Sequence, residues 1–439
     1  MLKIWEKALI MNNILKKMAF LIGFSSLTIP YVSNAYSIAD AIRASRANNL
    51  DIKASRDDLQ STKSLKYKAF AGVMPNINAE SNFTNTDHKS QAYKDRVQNP
   101  NRSEFSLNVV QPLFSGGSTL FDLNYAKNSI DSAQASLLNT KEKIILSTID
   151  AYEDLLTKRE LYNFSIKKEE AISNHLAATQ AKLELGEATI TDVSLAASRL
   201  AMAVSEKAKA KGAVIAAEAN FTAITGDAVP AKMEPIKLNK MSIPANLEQF
   251  MEAAIQKNSN IKKAKSEANA AKNQKQKAFS ALSPKVNAFA QFNRTDDLKI
   301  ARSDGDTYGI QVKVPIFQGG AEYADIRSSK YQERKAQHLH DSTVTAITQK
   351  VIQAWSEYYT TKAVIESSAK AVVAAQDALF GTEEEAKVGT RTTLEVLDAE
   401  NDLFEAKINN TKAHKDNVVA LFNMHALMST LNQMDFANY

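Results

Sequence analysis

Hydrophobic positions along the chain fall into two rhythms. In NINAESNFT, Ile77, Ala79 and Phe83 share one face of an extended strand, and Asn76, Asn78, Glu80 and Asn82 share the other. SEFSLNV sets Phe105, Leu107 and Val109 against Glu104, Ser106 and Asn108, and TYGIQVKV sets Tyr308, Ile310, Val312 and Val314 against Gly309, Gln311 and Lys313. A fourth run, KVNAFAQFN, is less regular because Phe289 falls among the polar positions. Each run is about 9–11 residues, the length of a tilted strand crossing a bilayer. The second rhythm is helical. Val344, Ile347, Val351, Trp355 and Tyr358 advance by three and four residues, and Leu138, Ile145 and Tyr152 by seven. The stretches 118–185 and 321–388 hold no proline, so each predicts one helix of about 100 Å. Their apolar stripe is narrow and suits helix-on-helix packing of the coiled-coil kind.

The two rhythms occur twice. VVQPLFSGG at 109–117 returns as VKVPIFQGG at 312–320, IDAYEDLL at 149–156 as IQAWSEYY at 352–359, and LGEATITDVSLAASRL at 185–200 as VGTRTTLEVLDAENDL at 388–403, all at an offset of 203. Upstream, AGVMPNINA at 71–79 matches ALSPKVNAF at 281–289 with Pro75 and Pro284 offset by 209. Self-similarity over this span means a duplication. The predicted layout is a first repeat at 36–226, a proline-containing connector at 227–246, a second repeat at 247–432 and a short tail at 433–439. Each repeat holds a helix of about 35 residues (near 37–72 and 247–281), two strands, the long helix, and a closing helix (near 191–226 and 394–432). Polar segments 86–102 and 294–306 read as hairpin loops, the extracellular tips of a barrel.

Before residue 36, lysines at 16 and 17 precede an apolar run from Met18 to Val32, and Ser33-Asn34-Ala35 offers a cleavage site. Residues 1–35 therefore read as a signal peptide, with translation starting at Met1 or Met11. Its removal takes four lysines and one glutamate from a formal charge of +5, leaving about +2 and no basic footprint for nucleic acid. With no cysteine in the chain, disulfides, thiolate metal sites and cysteine catalysis are excluded. No phosphate-binding loop occurs, and His338-x-His340 points its two rings to different sides of a helix. The chain reads as a non-enzyme without cofactor or metal.

Past the signal, no apolar run is long enough for a transmembrane helix, so entry into a membrane must be by strands. Four strands cannot close a barrel, and an open edge in lipid is too costly. At least two chains must combine; three would give twelve strands, the better match to a water-filled pore.

Gly389 reads as the left-handed end of one helix, and Thr392-Thr393-Leu394-Glu395 as the capping box of the next. Gly186 with Thr189-Ile190-Thr191-Asp192 repeats the pattern. Gly116, Gly117, Gly319 and Gly320, with Pro112 and Pro315 before them, read as strand–helix junctions. The duplicated halves, the P-[LI]-F-x-GG junctions and the turn VGTRTTLEVLDA resemble the TolC-like outer-membrane efflux family (outer membrane factors), over the whole mature chain. That resemblance implies a homotrimer: a twelve-stranded barrel in outer-membrane lipid, continued by a long periplasmic α-helical tunnel. It implies a passive exit duct for small molecules or type I secreted proteins, docking an inner-membrane pump or ABC exporter and a periplasmic adaptor. By the same resemblance, Glu395 and Asp398 line an acidic periplasmic aperture, and Arg391, Thr191 and Asp192 link neighbouring coiled coils in a closed state. Two positions depart from the family: Ala386 stands where a tyrosine is common, and Glu395 replaces an aspartate. The competing reading is a structural coiled-coil surface protein without channel activity.

Overall fold

The structure, a computed structural model, describes residues 35–85, 101–238, 241–297, 303–436 and 439. The chain divides into a short unit, 1–36, and a body from Ser37 to Tyr439 that holds every element below. The expected signal peptide lies, but for its last residue, outside the described residues.

The body runs α1 (Ile38–Asn48), α2 (Leu50–Ala71), β1 (Asn76–Asn85), β2 (Asn101–Phe114), α3 (Ser118–Glu184), α4 (Ile190–Thr225), α5 (Leu247–Lys257), α6 (Ser259–Ser280), β3 (Lys285–Asp297), β4 (Ser303–Lys313), α7 (Ala321–Lys387) and α8 (Thr393–Leu427), ending in a 3-10 turn at Leu431–Gln433. The long helices, 67 residues each, stand where the proline-free stretches place them. The single opening helix expected in each repeat is instead a pair. Asn49 breaks the first with an extended ψ of 127° and caps α2 through its side chain, which accepts from the Asp51 and Ile52 N–H groups. Asn258 does the same ahead of α6. An asparagine that offers the next backbone N–H groups a partner can end a helix without proline or glycine.

Helices α2 and α4 both pack on α3, while α6 and α8 pack between α3 and α7. The shorter helices stack end on end: the Asn48 side chain donates to the Thr225 carbonyl at 3.1 Å, and that of Asn258 to the Leu427 carbonyl at 2.9 Å. A core of Phe250, Val351, Ala354, Tyr358, Leu421 and Met424 sits at this level, with Leu238, Met241 and Ile243 of the connector laid against it. Tyr152 is fully buried and its hydroxyl donates to the Glu234 carbonyl at 2.6 Å; Arg159 donates to the Pro230 carbonyl and to Glu218, both at 2.9 Å. These bonds strap the irregular connector to α3.

All four strands form one antiparallel sheet in the order β1-β2-β3-β4. The two hairpins have the same register: Ala79 faces Leu107 and Ile77 faces Val109, as Ala288 faces Ile310 and Val286 faces Val312. The middle pairing joins the repeats, with Val109 facing Ala290 and Leu107 facing Phe292. Directly opposed residues share a face, so Ile77, Phe83, Phe105, Phe292, Tyr308, Ile310 and Val312 form one apolar surface, and all seven are exposed. The irregular Phe289 has a local cause. It lies opposite Gly309, and two of its ring carbons come within 3.4 Å of where a Cβ on Gly309 would stand, so the glycine leaves room for the ring. Both hairpin loops are shorter than expected. β2 begins at Asn101, and β3 and β4 continue to Asp297 and from Ser303, because ladder hydrogen bonds carry the strands past the apolar alternation; Arg294 pairs with Asp304 across it at 4.0 Å. Residues 86–100 and 298–302 lie outside the described residues.

Pro112 sits at a bulge in β2, and Pro315 just beyond β4. Past them, Gly117 and Gly320 cap α3 and α7 from left-handed conformations, φ +83° and +85°, with Gly116 and Gly319 at φ +66° and +71°. Two successive left-handed residues turn each strand into its helix at a point where a Cβ would be strained.

Candidate functional site

The two helix–helix turns, at the ends of α3 and α7 away from the sheet, share one backbone. The Gly186 N–H donates to the Leu183 carbonyl and that of Glu187 to Lys182; 203 residues on, Gly389 donates to Ala386 and Thr390 to Glu385. Both glycines are left-handed, φ +77° and +79°. This is the double hydrogen bond of a glycine-terminated helix. Each following helix starts with a capping box. Thr189 N–H and hydroxyl donate to Asp192 at 2.8 and 2.7 Å, and Thr392 N–H and hydroxyl donate to Glu395 at 2.8 and 2.9 Å. The Asp192 and Glu395 N–H groups return bonds to their threonine hydroxyls.

What distinguishes the second turn is its charge. Glu385, Arg391 and Asp398 occupy positions held by Lys182, Ala188 and Leu195 in the first. Arg391 donates through Nε to Glu385 and through Nη1 to Glu395, both at 2.7 Å, and the two carboxylates hold its guanidinium above the usual arginine range. Both Glu395 oxygens are thereby engaged, one by Arg391 and one by Thr392. The Thr392 backbone N–H, then Arg391 and the Thr392 hydroxyl, hold the Glu395 carboxyl down at about 2. Hydrogen bonds from the Thr189 backbone and hydroxyl lower Asp192 in the same way.

Asp398, one helical turn beyond Glu395, reaches a different partner. Arg199 of α4 donates from Nη2 to its Oδ1 at 2.8 Å. Beside it Leu397 packs on Ile172 of α3 and Ala203 of α4. Lys168 of α3 donates to Glu206 of α4 at 2.7 Å and to Asn401 of α8 at 2.9 Å. These groups, with Glu400, line a cavity of about 40 Å³. Burial, then repulsion from Glu383, raises the Glu400 carboxyl.

Within one chain, then, Arg391 is bonded to its own turn and Asp192 to its own capping box, while Thr191 lies exposed on the first turn of α4. Among the described residues no hydrogen bond joins Arg391 to Thr191 or Asp192. Sequence reasoning missed Arg199, Glu385 and Lys168. A signal existed for the first two: Arg199 aligns with Asp402, and Glu385 with Lys182, so charge breaks the repeat at both. Among the described residues no cluster of histidine and carboxylate could hold a metal ion, and no helix is long and apolar enough to cross a membrane.

Residues 41–227 and 250–429, most of both repeats, match the sequence profile described as outer membrane efflux protein. The chain belongs to the outer membrane efflux protein family. Outer membrane efflux protein BepC of Brucella suis is 27% identical over 401 residues, covering 91% of this chain and 86% of that protein. Outer membrane protein TolC of Escherichia coli is 23% identical over 439 residues, covering 96% and 87%. In fold, the chain is similar to the Campylobacter jejuni CmeC outer membrane channel, with a TM-score of 0.80 at 13% identity, covering 91% of this chain and 88% of that one. This efflux-family chain is a TolC-like outer membrane factor, located in the outer membrane with a large periplasmic part. Its relatives are named as outer membrane efflux and secretion proteins, and its structural neighbours as outer membrane channels.

Proposed function

We propose that three copies of the chain close one twelve-stranded barrel in the outer membrane and one helical tunnel beneath it. The assembly is a passive exit duct for small molecules, secreted proteins or both, served by an inner-membrane pump or ABC exporter and a periplasmic adaptor. The observation that carries this reading is the sheet: four strands with one exposed apolar face and two open edges, β1 and β4. Unpaired strand edges do not persist in lipid, and a head-to-tail contact between identical chains closes a ring.

The duplication supports a particular closure. Because both hairpins share a register, β4 of one chain repeats β2 and β1 of the next repeats β3. The β2–β3 pairing, moved by 203 and 209 residues, sets Ile310 opposite Phe83, Val312 opposite Ser81 and Lys313 opposite Glu80 of the neighbouring copy. Ile310 then meets Phe83 on the lipid side, and an ion pair falls on the polar side. Gly116 fits the same scheme, since a Cβ there would meet Ser280 at the end of α6 and Ser283 just past it, whereas its repeat Gly319 faces nothing within 4 Å in its own chain.

At the far end of the tunnel, about one long helix away, Glu395 and Asp398 of three chains form stacked carboxylate rings around an aperture, and rings of this kind attract cations. Arg391, Thr191 and Asp192 act between neighbouring chains in this reading, with Ala386 removing one tyrosine link. Outer-membrane fractionation, chemical crosslinking and planar-bilayer recording test the proposal together. A trimer with stepwise conductance is expected; a monomeric, non-conducting outer-membrane protein would favour a structural coiled-coil role instead.

A further inference from the structure

We infer that Arg199 is both the latch and the counter-charge of the aperture: it ties α8 to the first helical hairpin of its own chain and neutralises Asp398 while the mouth is closed. This rests on the duct reading above, and it adds a residue and a mechanism to it. In that reading the mouth changes width when the second hairpin, α7–α8, shifts against the first, α3–α4, and such a shift parts the seam between α8 and α4. α8 packs along α3 but touches α4 over only a few residues, and that narrow seam is where the Arg199–Asp398 bond lies, at 2.8 Å. Next to it stand the Leu397 contact with Ile172 and Ala203, and the bridge from Lys168 to Asn401 and Glu206. The seam therefore has an apolar seat flanked by two basic side chains, one from each helix of the first hairpin.

The charges at this seam are absent from the other turn. Asp398 repeats Leu195, and Arg199 repeats Asp402, so the pair belongs to one junction and is not inherited from the duplication. Nor is the pair a core contact. The Arg199 and Asp398 side chains are 36% and 54% exposed, so Asp398 remains open to a passing ion while it is bound. Near the turn, Glu385 and Glu395 share Arg391, and Asp398 has Arg199. The closed mouth is thus less acidic than its carboxylates alone imply, and parting the hairpins unmasks Asp398.

Purified protein in planar bilayers under a potassium chloride gradient reads both roles. Arg199→Gln should open more often and become more cation-selective, because the latch is lost and the carboxylate is freed. Asp398→Asn should also open more often but become less cation-selective. An exposed ion pair shifts an equilibrium by at most about fivefold; three copies acting on one mouth compound to about a hundredfold. Arg199→Gln with Asp398→Asn should open no more often than either single variant, since both remove the same bond. Wild-type behaviour of Arg199→Gln in both opening and selectivity overturns the inference, as does additive opening in the double variant. A wild type that never conducts overturns the duct reading instead. The latch itself is then decided by Arg199→Cys with Asp398→Cys in a chain that has no other cysteine. A short bismaleimide should give an intrachain link, and failure to link overturns the contact.

Discussion

Closure of the sheet between chains can be tested at single-residue register. Ile310→Cys combined with Phe83→Cys places thiols on positions that the transposed β2–β3 pairing sets face to face. Opposed residues on neighbouring strands have Cβ atoms about 4.5–5.5 Å apart and diagonal ones about 7–8 Å; a disulfide needs about 3.5–4.5 Å. A slight local adjustment links the first kind and cannot link the second. The chain supplies its own control, because Leu107 and Phe292 are the equivalent pair within one chain, already directly opposed. Leu107→Cys with Phe292→Cys should form an intrachain bond, and its yield calibrates the geometry. β4 has 11 residues, about half of which turn their backbone groups toward the open edge. At several kcal/mol for each unsatisfied group in lipid, an unclosed edge costs on the order of tens of kcal/mol. The Lys313–Glu80 pair contributes only about 0.2–1 kcal/mol per contact, too little to decide assembly. Crosslinking is therefore the assay: oxidation of outer membranes, followed by non-reducing gel electrophoresis. Ile310→Cys with Phe83→Cys should run as dimer and trimer, and Ile310→Cys with Ser81→Cys as monomer. The reverse pattern would mean a register two residues away. Monomer in both pairs, with the internal control oxidised, would refute closure by repetition.

Other consequences follow from single contacts. Burial raises the Glu153 carboxyl to about 7, partly offset by a bond from the Ile236 backbone and by Lys415. Its folded value lies above the unfolded one, so its contribution to stability is complete below about pH 4.5 and is lost as pH rises through 7, amounting to about 3 kcal/mol. Thermal melts of Glu153→Gln should lose much of that pH dependence; an unchanged slope would assign it elsewhere. Gly116→Ala should destabilise the isolated chain by about 2 kcal/mol or more, since its Cβ would stand 2.7 Å from the Ser283 Cβ and 2.8 Å from the Ser280 carbonyl oxygen. Gly319→Ala, with backbone strain alone, should cost less before assembly, and equal losses in denaturant titrations would contradict this. Thr392→Ala removes the cap of α8 and should cost about 1 kcal/mol. Faster amide exchange confined to the first turn of α8 is the expected signature, and uniform exchange would place the cap's effect elsewhere.

The fold was legible wherever chemistry repeats at a fixed period. Alternation located all four strands, and the proline-free stretches located both long helices, because sheet faces and helix stripes leave periods of two and about 3.6 in any sequence that buries one side. The Asn49 and Asn258 breaks were hidden because an asparagine that caps is indistinguishable in sequence from one that is simply exposed; only the N–H groups it meets tell them apart. The loops were overestimated for a related reason, since polar residues such as Arg294 and Asp304 can hold a ladder that hydrophobicity does not mark.

The candidate site divides along the same line. Gly389, Thr392 and Glu395 could be read because a turn and its cap are local, spanning a few residues whose spacing carries their geometry. Arg199 and Asp398 are 199 residues apart, and their meeting depends on how α8 lies against α4. The consequence is electrostatic. Counted from sequence, the second turn shows clustered carboxylates; in the structure Glu395 is held by Thr392 and Arg391, and Asp398 by Arg199. Asp398 takes its counter-charge from another helix, α4, whereas Glu395 is held by Arg391 and Thr392 of its own turn. In the duct reading, a mouth that changes its attraction for cations as it opens does so first through Asp398, whose partner lies across the seam.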